Sequence, residues 1–565
     1  MEQLLWITIL LPVLGACLVV ALSPWGQRAV RQSALVTTVL TLACTTILLI
    51  NYRSEPNSFA SSSIDWLGTG TSLDIRLSIG LDGLSVWLFG LAALLVFSSV
   101  LVSWEAIADR PTGFYALLLL LETGMLGVFA ARHLILFYVF FEFTLVPLFF
   151  LIGIWGSEDR RYAAIKFFIY TLAGSMLTFL GLLSIVLWNH AAHGELTFSI
   201  PDLTASLAGG APPMPAPLQM WIFLALLAGF AIKVPLFPFH TWLPLAHVQA
   251  PTAGSVLLAG VLLKIGTYGF VRFSMAMLPD ATVTCMPVLL GLSVVAILYG
   301  ALVSLAQRDI KKLIAYSSVS HLGFCTLGLF TINRLGMQGG TLQMINHGLS
   351  TGGLFACVGM LYERYHTREI RQFGGLAGRT PVLAFFMLVF TLSSIGLPGL
   401  NGFVGEFLVL IGMFQRSFTA APAEWSFLLR SLAVAAVLGV VLGAWYMLFL
   451  VQRIFFGRLK EPVHGDGGGD AVSDLSPREV LALAPLVVFI VWIGLMPEPF
   501  LRPMSVTLNP ITERAQESFE QRWGRLPTRP LPRVAMDDGN RSRVGRYSMG
   551  KRRGQAHFSD LRFGR

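Results

Sequence analysis

Long apolar stretches alternate with short polar connections along this chain, and most stretches approach the roughly 20 residues that an α-helix needs to cross a bilayer. Fourteen candidate spans can be marked, at 4–23, 32–50, 84–104, 113–131, 134–156, 166–188, 219–242, 253–275, 284–306, 312–331, 340–362, 381–415, 428–452 and 479–498. The pattern predicts an all-α polytopic membrane protein with about 14 transmembrane helices. The first stretch follows Met1-Glu2 with neither a basic leader nor a small-residue cleavage site, so it reads as a retained span.

Composition supports that solvent: 55% of the 565 residues are apolar and only 13% charged, far from the balance of a soluble domain. Lys and Arg fall more often before even-numbered spans, at Arg28 and Arg31, Arg160 and Arg161, Arg308 with Lys311 and Lys312, Arg364 to Arg379, and Arg453 to Lys460. The positive-inside bias then places the amino terminus outside. After residue 499 there are 14 Lys and Arg against 6 Asp and Glu, which nearly accounts for the formal charge of +9. A basic, disordered tail is expected over 499–565, as a solvated extension or a strap on a neighbour, with no nucleic acid expected. Cys17, Cys44, Cys285, Cys325 and Cys357 lie singly, without metal, cluster or haem spacing. With no glycine-rich dinucleotide loop either, no cofactor is expected on this chain.

The candidate chemistry lies in ionisable residues within apolar runs, because a charge at the bilayer centre costs about 2.5–3.5 kcal/mol. Glu142, Lys233, Lys264 and Glu406 are four such residues, and His321 and His347 are two more. Glu142 and Lys233 suit either a static buried ion pair or a proton gate in which the carboxylate tunes the amine. Lys264 has no carboxylate in sequence reach and could carry a proton in transit. Each histidine suits a core hydrogen bond or a relay. Glu122 is a weaker candidate for helix bonding.

Two spans are also broken. Pro235 and Pro238 follow Lys233, removing donors to the carbonyls of Ala231 and Val234; Pro398-Gly399 and Asn401-Gly402 precede Glu406 and free the carbonyl of Ser394. Open backbone at membrane depth must be buried in protein or line a wet cavity. Lys233 and Glu406 are 173 residues apart, as expected for two inverted five-helix repeats, each with a discontinuous helix. The predicted division is 1–112 (three helices), 113–278 (first repeat, broken near 233–240), 279–456 (second repeat, broken near 396–402), 457–498 (loop and last helix) and the tail 499–565.

The segment IKVPLFPFHTWLPLAHVQAPTAGSVLLAGVLLKIGTYGFVRF, Ile232 to Phe273, resembles the signature of antiporter-like subunits of respiratory complex I and of multisubunit cation/proton antiporters. RDIKKLIAYSSVSHLGF and GLPGLNGFVGEF match the same family, and the likeness covers roughly residues 80–500. Glu406 after the second break, and FFEFTLVPLFFLIGIWG around Glu142, are similar to the M-type (chain 4) members.

The resemblance implies a gating pair Glu142–Lys233, a central relay Lys264, a polar axis His321–His347 and a distal carboxylate Glu406. It also implies proton translocation coupled to quinone reduction elsewhere in an NADH:quinone oxidoreductase. NADH, FMN, iron–sulfur clusters and quinone would sit on other subunits, and the partners would be other membrane-arm subunits, especially flanking antiporter-like ones, and lipid. The expected location is the bacterial plasma membrane. A cation/proton antiporter subunit is the alternative; a quinone-binding subunit using His240 or Trp242 is a more distant one.

Overall fold

A computed structural model describes residues 1–53, 59–68, 75–209, 212–462 and 472–524. Among them the helices are α1 (Glu2–Ala21), α2 (Gln27–Ile50), α3 (Val86–Ala106), α4 (Pro111–Ala130), α5 (Leu134–Trp155, interrupted at Thr144), α6 (Arg160–His193), α7 (Ile200–Gly209), α8 (Ala216–Lys233) and α9 (Trp242–Gln249). They continue as α10 (Thr252–Met275), α11 (Pro279–Leu305), α12 (Ile310–Phe330), α13 (Arg334–Tyr365), α14 (Pro381–Ser394), α15 (Asn401–Phe418), α16 (Ser426–Phe455), α17 (Pro477–Leu495) and α18 (Glu498–Trp523).

Among the described residues, twelve helices are long and apolar enough to span a membrane. Neither α13 nor the split pair α14/α15 is among them, though both occupy expected spans. In α13 the reason is chemical: Gln338, Gln343, Asn346 and His347 are all buried and lower its hydropathy.

Burial separates centre from rim. The most apolar windows of α10 and α12 are 100% and 94% buried, whereas that of α1 is 39% buried and turns Ile7, Leu10 and Leu14 outward. Lipid is as apolar as leucine, so the helices associate through close backbone approach at small residues. A Cβ on Gly229 of α8 would lie 2.5 Å from the Gly174 carbonyl of α6.

Both breaks bend the chain beside a charged residue. Helix α8 stops at Lys233, but the Ala231 carbonyl, expected to be free, accepts from the Leu236 amide at 2.9 Å, and the Trp242 indole donates to the Ile232 carbonyl at 3.0 Å. The turn thus satisfies these two carbonyls from within itself, as an apolar setting favours. Between α14 and α15, Gly396 and Gly399 take φ of +72° and +93°, values a side chain would strain. Asn401 then anchors the restart, its Oδ1 accepting from Ser393 Oγ at 2.6 Å and from the Gly402 amide at 2.9 Å.

Two elements depart from the sequence expectation. Phe59–Leu67 and Ile75–Leu81 form an antiparallel hairpin, β1–β2, a small exception to the all-α class. The tail is ordered at its start, because α18 buries Phe500, Met504, Leu508, Ile511, Ala515 and Phe519 along one face while Arg502, Glu513, Glu517 and Arg522 face outward. That helical spacing, rather than net charge, decides the segment. The rest of the expected tail, 525–565, lies outside the described residues.

Candidate functional site

Lys264 is completely enclosed at the middle of α10, between π-helical turns at Leu258–Leu262 and Phe270–Met275. Such turns interrupt regular pairing and often mark functional positions. The ammonium nitrogen bonds the Ala259 carbonyl within the first turn and lies 2.6 Å from Nδ1 of His347 on α13. The two backbones meet closely beside this bond: a Cβ on Gly348 would fall 2.7 Å from the Gly260 carbonyl.

From His347 the polar line continues through α12. The rings of His347 and His321 are 5.8 Å apart, and His321 Nδ1 lies 3.2 Å from Glu406 Oε1 on α15. On its other side His321 Nε2 meets Ser394 Oγ at 3.1 Å and the Tyr446 hydroxyl at 3.4 Å. Glu406 accepts from Gln343 at 3.2 Å; Asn346 bonds Gln343 at 3.2 Å and the Asn401 carbonyl at 2.8 Å. Ser394 and Asn401 belong to the two sides of the α14/α15 break, so the open turn directs its polar atoms into this cluster.

Glu142 and Lys233 stand apart from the line. Lys233 is buried at the end of α8 with Nζ 4.6 Å from the centre of the Phe141 ring. Glu142, half-buried on α5, interacts with it electrostatically, yet the described residues contain no ion pair between them within 4 Å, and Glu142 Oε1 has no partner. The structure therefore pairs Lys264 with His347 and His321 with Glu406, places the two imidazole rings 5.8 Å apart, and leaves Glu142 and Lys233 without a direct ion pair among the described residues. Glu122 is fully enclosed on α4 with neither oxygen bonded.

Two residues outside the sequence-derived set extend the line. His247, at the end of α9, is fully buried, stacks on Phe355 at 4.6 Å and bonds through neither ring nitrogen. Its electrostatic neighbours are Lys311 and Lys264. Lys311, read from sequence only as a basic loop residue, turns inward where Lys312 faces out, and donates to the Ala250 carbonyl at 2.6 Å. It lines a cavity of about 460 Å³ with Glu105, Glu363, His366 and Arg368, at the C-terminal end of α3. The cue for His247 was present in sequence, a lone imidazole in an apolar run like His321. Of the residues considered for quinone, Trp242 uses its indole N–H on the broken helix, and His240 packs among Phe237 and Tyr299.

A family model described as NADH:quinone oxidoreductase/Mrp antiporter, transmembrane, matches residues 131–429. NADH-quinone oxidoreductase subunit M of Rhodobacter capsulatus is 40% identical over 511 residues, covering 88% of this chain and 94% of that protein. NADH-ubiquinone oxidoreductase chain 4 of Chondrus crispus is 39% identical over 497 residues, covering 88% and 94%. A chain in the structure of respiratory complex I from Thermus thermophilus with bound NADH superimposes with a TM-score of 0.77 at 33% identity, over 91% of this chain and 99% of that one. An extended match of this kind, together with the buried Lys–His–His–Glu line, shows that the chain belongs to the antiporter-like membrane subunits of NADH:quinone oxidoreductase, complex I, in the group of subunit M and chain 4.

Proposed function

We propose that this chain moves protons across the membrane as a membrane-arm subunit of complex I, through Lys264, His347, His321 and Glu406. The observation that carries this reading is the alignment of two contacts, Lys264–His347 at 2.6 Å and His321–Glu406 at 3.2 Å, with the two imidazole rings 5.8 Å apart between them. Each group can hold or release a proton, and an imidazole can accept at one nitrogen while releasing from the other. Lys311 and His247 connect the cavity at the end of α3 to Lys264 and form one end of the route. Glu406 on one side of His321, and Tyr446 with Ser317 bonded to it at 2.8 Å on the other, form the opposite end.

Glu142 and Lys233 act as the control element. Two charges about 4 Å apart interact by about 4 kcal/mol at an effective dielectric of 20, nearly three pKa units. Closing the open pair stabilises both charges, and parting it removes that stabilisation from Lys233. A rearrangement in a flanking antiporter-like subunit supplies the motion. NADH, FMN, iron–sulfur clusters and quinone belong to other subunits in this reading, and the chain does no redox chemistry of its own. Its place is a bacterial plasma membrane, a reading supported by the Rhodobacter relative. Replacing Lys233 or Glu142 with Ala in the assembled complex should remove pumping through this chain while quinone reduction persists; a wild-type proton-to-electron ratio in either variant contradicts the proposal.

A further inference from the structure

At the N-terminal end of α3, on the face opposite the Lys311 cavity, lies a second cavity of about 310 Å³. Three guanidinium groups line it: Arg132 between α4 and α5, Arg272 near the end of α10, and Arg514 on α18. A single carboxylate, Asp82, shares the lining, and it is already paired, with Oδ2 2.5 Å from Arg272 Nη2. Arg272 also donates to the Tyr268 hydroxyl at 3.1 Å. Arg514 reaches only the Thr204 carbonyl, at 3.4 Å, and among the described residues neither Arg132 nor Arg514 has a carboxylate within 4 Å. Asp202 acts on Arg132 electrostatically without pairing.

Arg132, which also feels the Asp82 carboxylate, and Arg514 therefore bring two positive charges to the cavity with no ion pair of their own among the described residues. The location sharpens the point. The loops after even-numbered spans lie on the outer face by the positive-inside bias, where arginines are disfavoured for topology. Arg132 follows the fourth span, Arg272 lies in the last turn of the eighth, and α18 adds Arg514 from a separate part of the chain. The planar forks of two arginines match the oxygens of a phosphate group better than a single chloride. A volume of about 310 Å³ also falls at the small end of ordinary ligand sites.

We propose that this cavity binds a phosphate group, held by Arg132 and Arg514, with the Asp82–Arg272 pair as its fixed wall. A phospholipid headgroup and free phosphate share this chemistry, and the test separates them. The complex carrying the Arg132→Gln, Arg514→Gln chain is purified beside wild type, washed exhaustively in detergent and extracted with chloroform–methanol, and phosphorus is counted per complex in each phase. The wild type should retain about one equivalent more than the variant, in the organic phase for a headgroup or in the aqueous phase for free phosphate. Equal phosphorus in both phases overturns the proposal.

Because the double variant could fail to assemble, the unmodified complex gives a second test by arginine modification with phenylglyoxal, read by peptide mass spectrometry. Inorganic phosphate, or phosphatidylglycerol in mixed micelles, should slow labelling of Arg132 and Arg514 at least threefold while leaving exposed Arg110 unaffected. Absence of protection by both probes overturns the site.

Discussion

Lys264 and His347, 83 positions apart in sequence, meet with Nζ 2.6 Å from Nδ1 inside a fully buried contact between α10 and α13. A lysine and an imidazole cannot both be charged there without a large electrostatic cost, since the low dielectric of the interior strengthens their repulsion. One proton shared between two bases is the state that this contact favours. In the proposed route the proton leaves this contact toward His247 or toward His321.

Glu406 tests the distal end. Glu406→Gln keeps an oxygen for the Gln343 amide, which now donates at 3.2 Å, but cannot release a proton. Proton transfer through this chain should fall by about a hundredfold or more, the usual range for removing a positioned acid or base, as measured by acidification of proteoliposomes normalised to quinone reduction. Assembly should be unchanged.

His247 tests the route between the Lys311 cavity and Lys264. His247→Phe preserves the ring stacked 4.6 Å from Phe355 and removes only the nitrogens. Pumping should slow by about tenfold with thermal stability retained. An unchanged rate would mean that Lys264 is reached another way.

Much of this site was legible in the sequence, and the limits are physical. Each of the six ionisable residues stood out because a charge in an apolar run needs a reason, and the prolines and glycines located both breaks. Which residues touch was hidden, because Lys264 and His347 are joined by helix packing rather than by spacing. The resemblance implied Glu142 and Lys233 as a gating pair without fixing their distance, and in the structure Lys233 Nζ lies 4.6 Å from the Phe141 ring centre. Lys311 was missed because a basic residue after a loop looks solvated until its helix is rotated into place. The amphipathic face of α18 was legible in principle, but the surrounding arginines made the whole segment look disordered.

The second break should tolerate little added bulk. A Cβ at Gly402 would lie 1.9 Å from the Ser393 carbonyl, so Gly402→Ala forces the backbone apart beside Glu406. Destabilisation of about 1–3 kcal/mol is expected from such overpacking, seen as a lower unfolding temperature of the complex. Gly291→Ala, where a Cβ meets nothing within 4 Å, is the matched control and should not lower it.

Asp82 gives a pH dependence outside the membrane spans. Burial alone would raise its carboxyl, but Arg272, the Ser85 amide and Arg132 outweigh burial and hold it below the ordinary carboxylate value. A depressed native pKa contributes stability that is fully present above the unfolded value, about 4, and is lost as pH falls through the native one. The thermal stability of the complex should therefore fall below about pH 4. Asp82→Asn, which strands the buried Arg272, should cost about 3 kcal/mol at neutral pH and flatten that acid limb.

The most direct measurement is the proton-to-electron ratio of the purified complex in sealed proteoliposomes with Lys264→Met in this chain. Methionine fills the enclosed site without a titratable nitrogen. The ratio should drop by the share this chain contributes while NADH-driven quinone reduction continues; a ratio equal to wild type would contradict a proton path through Lys264.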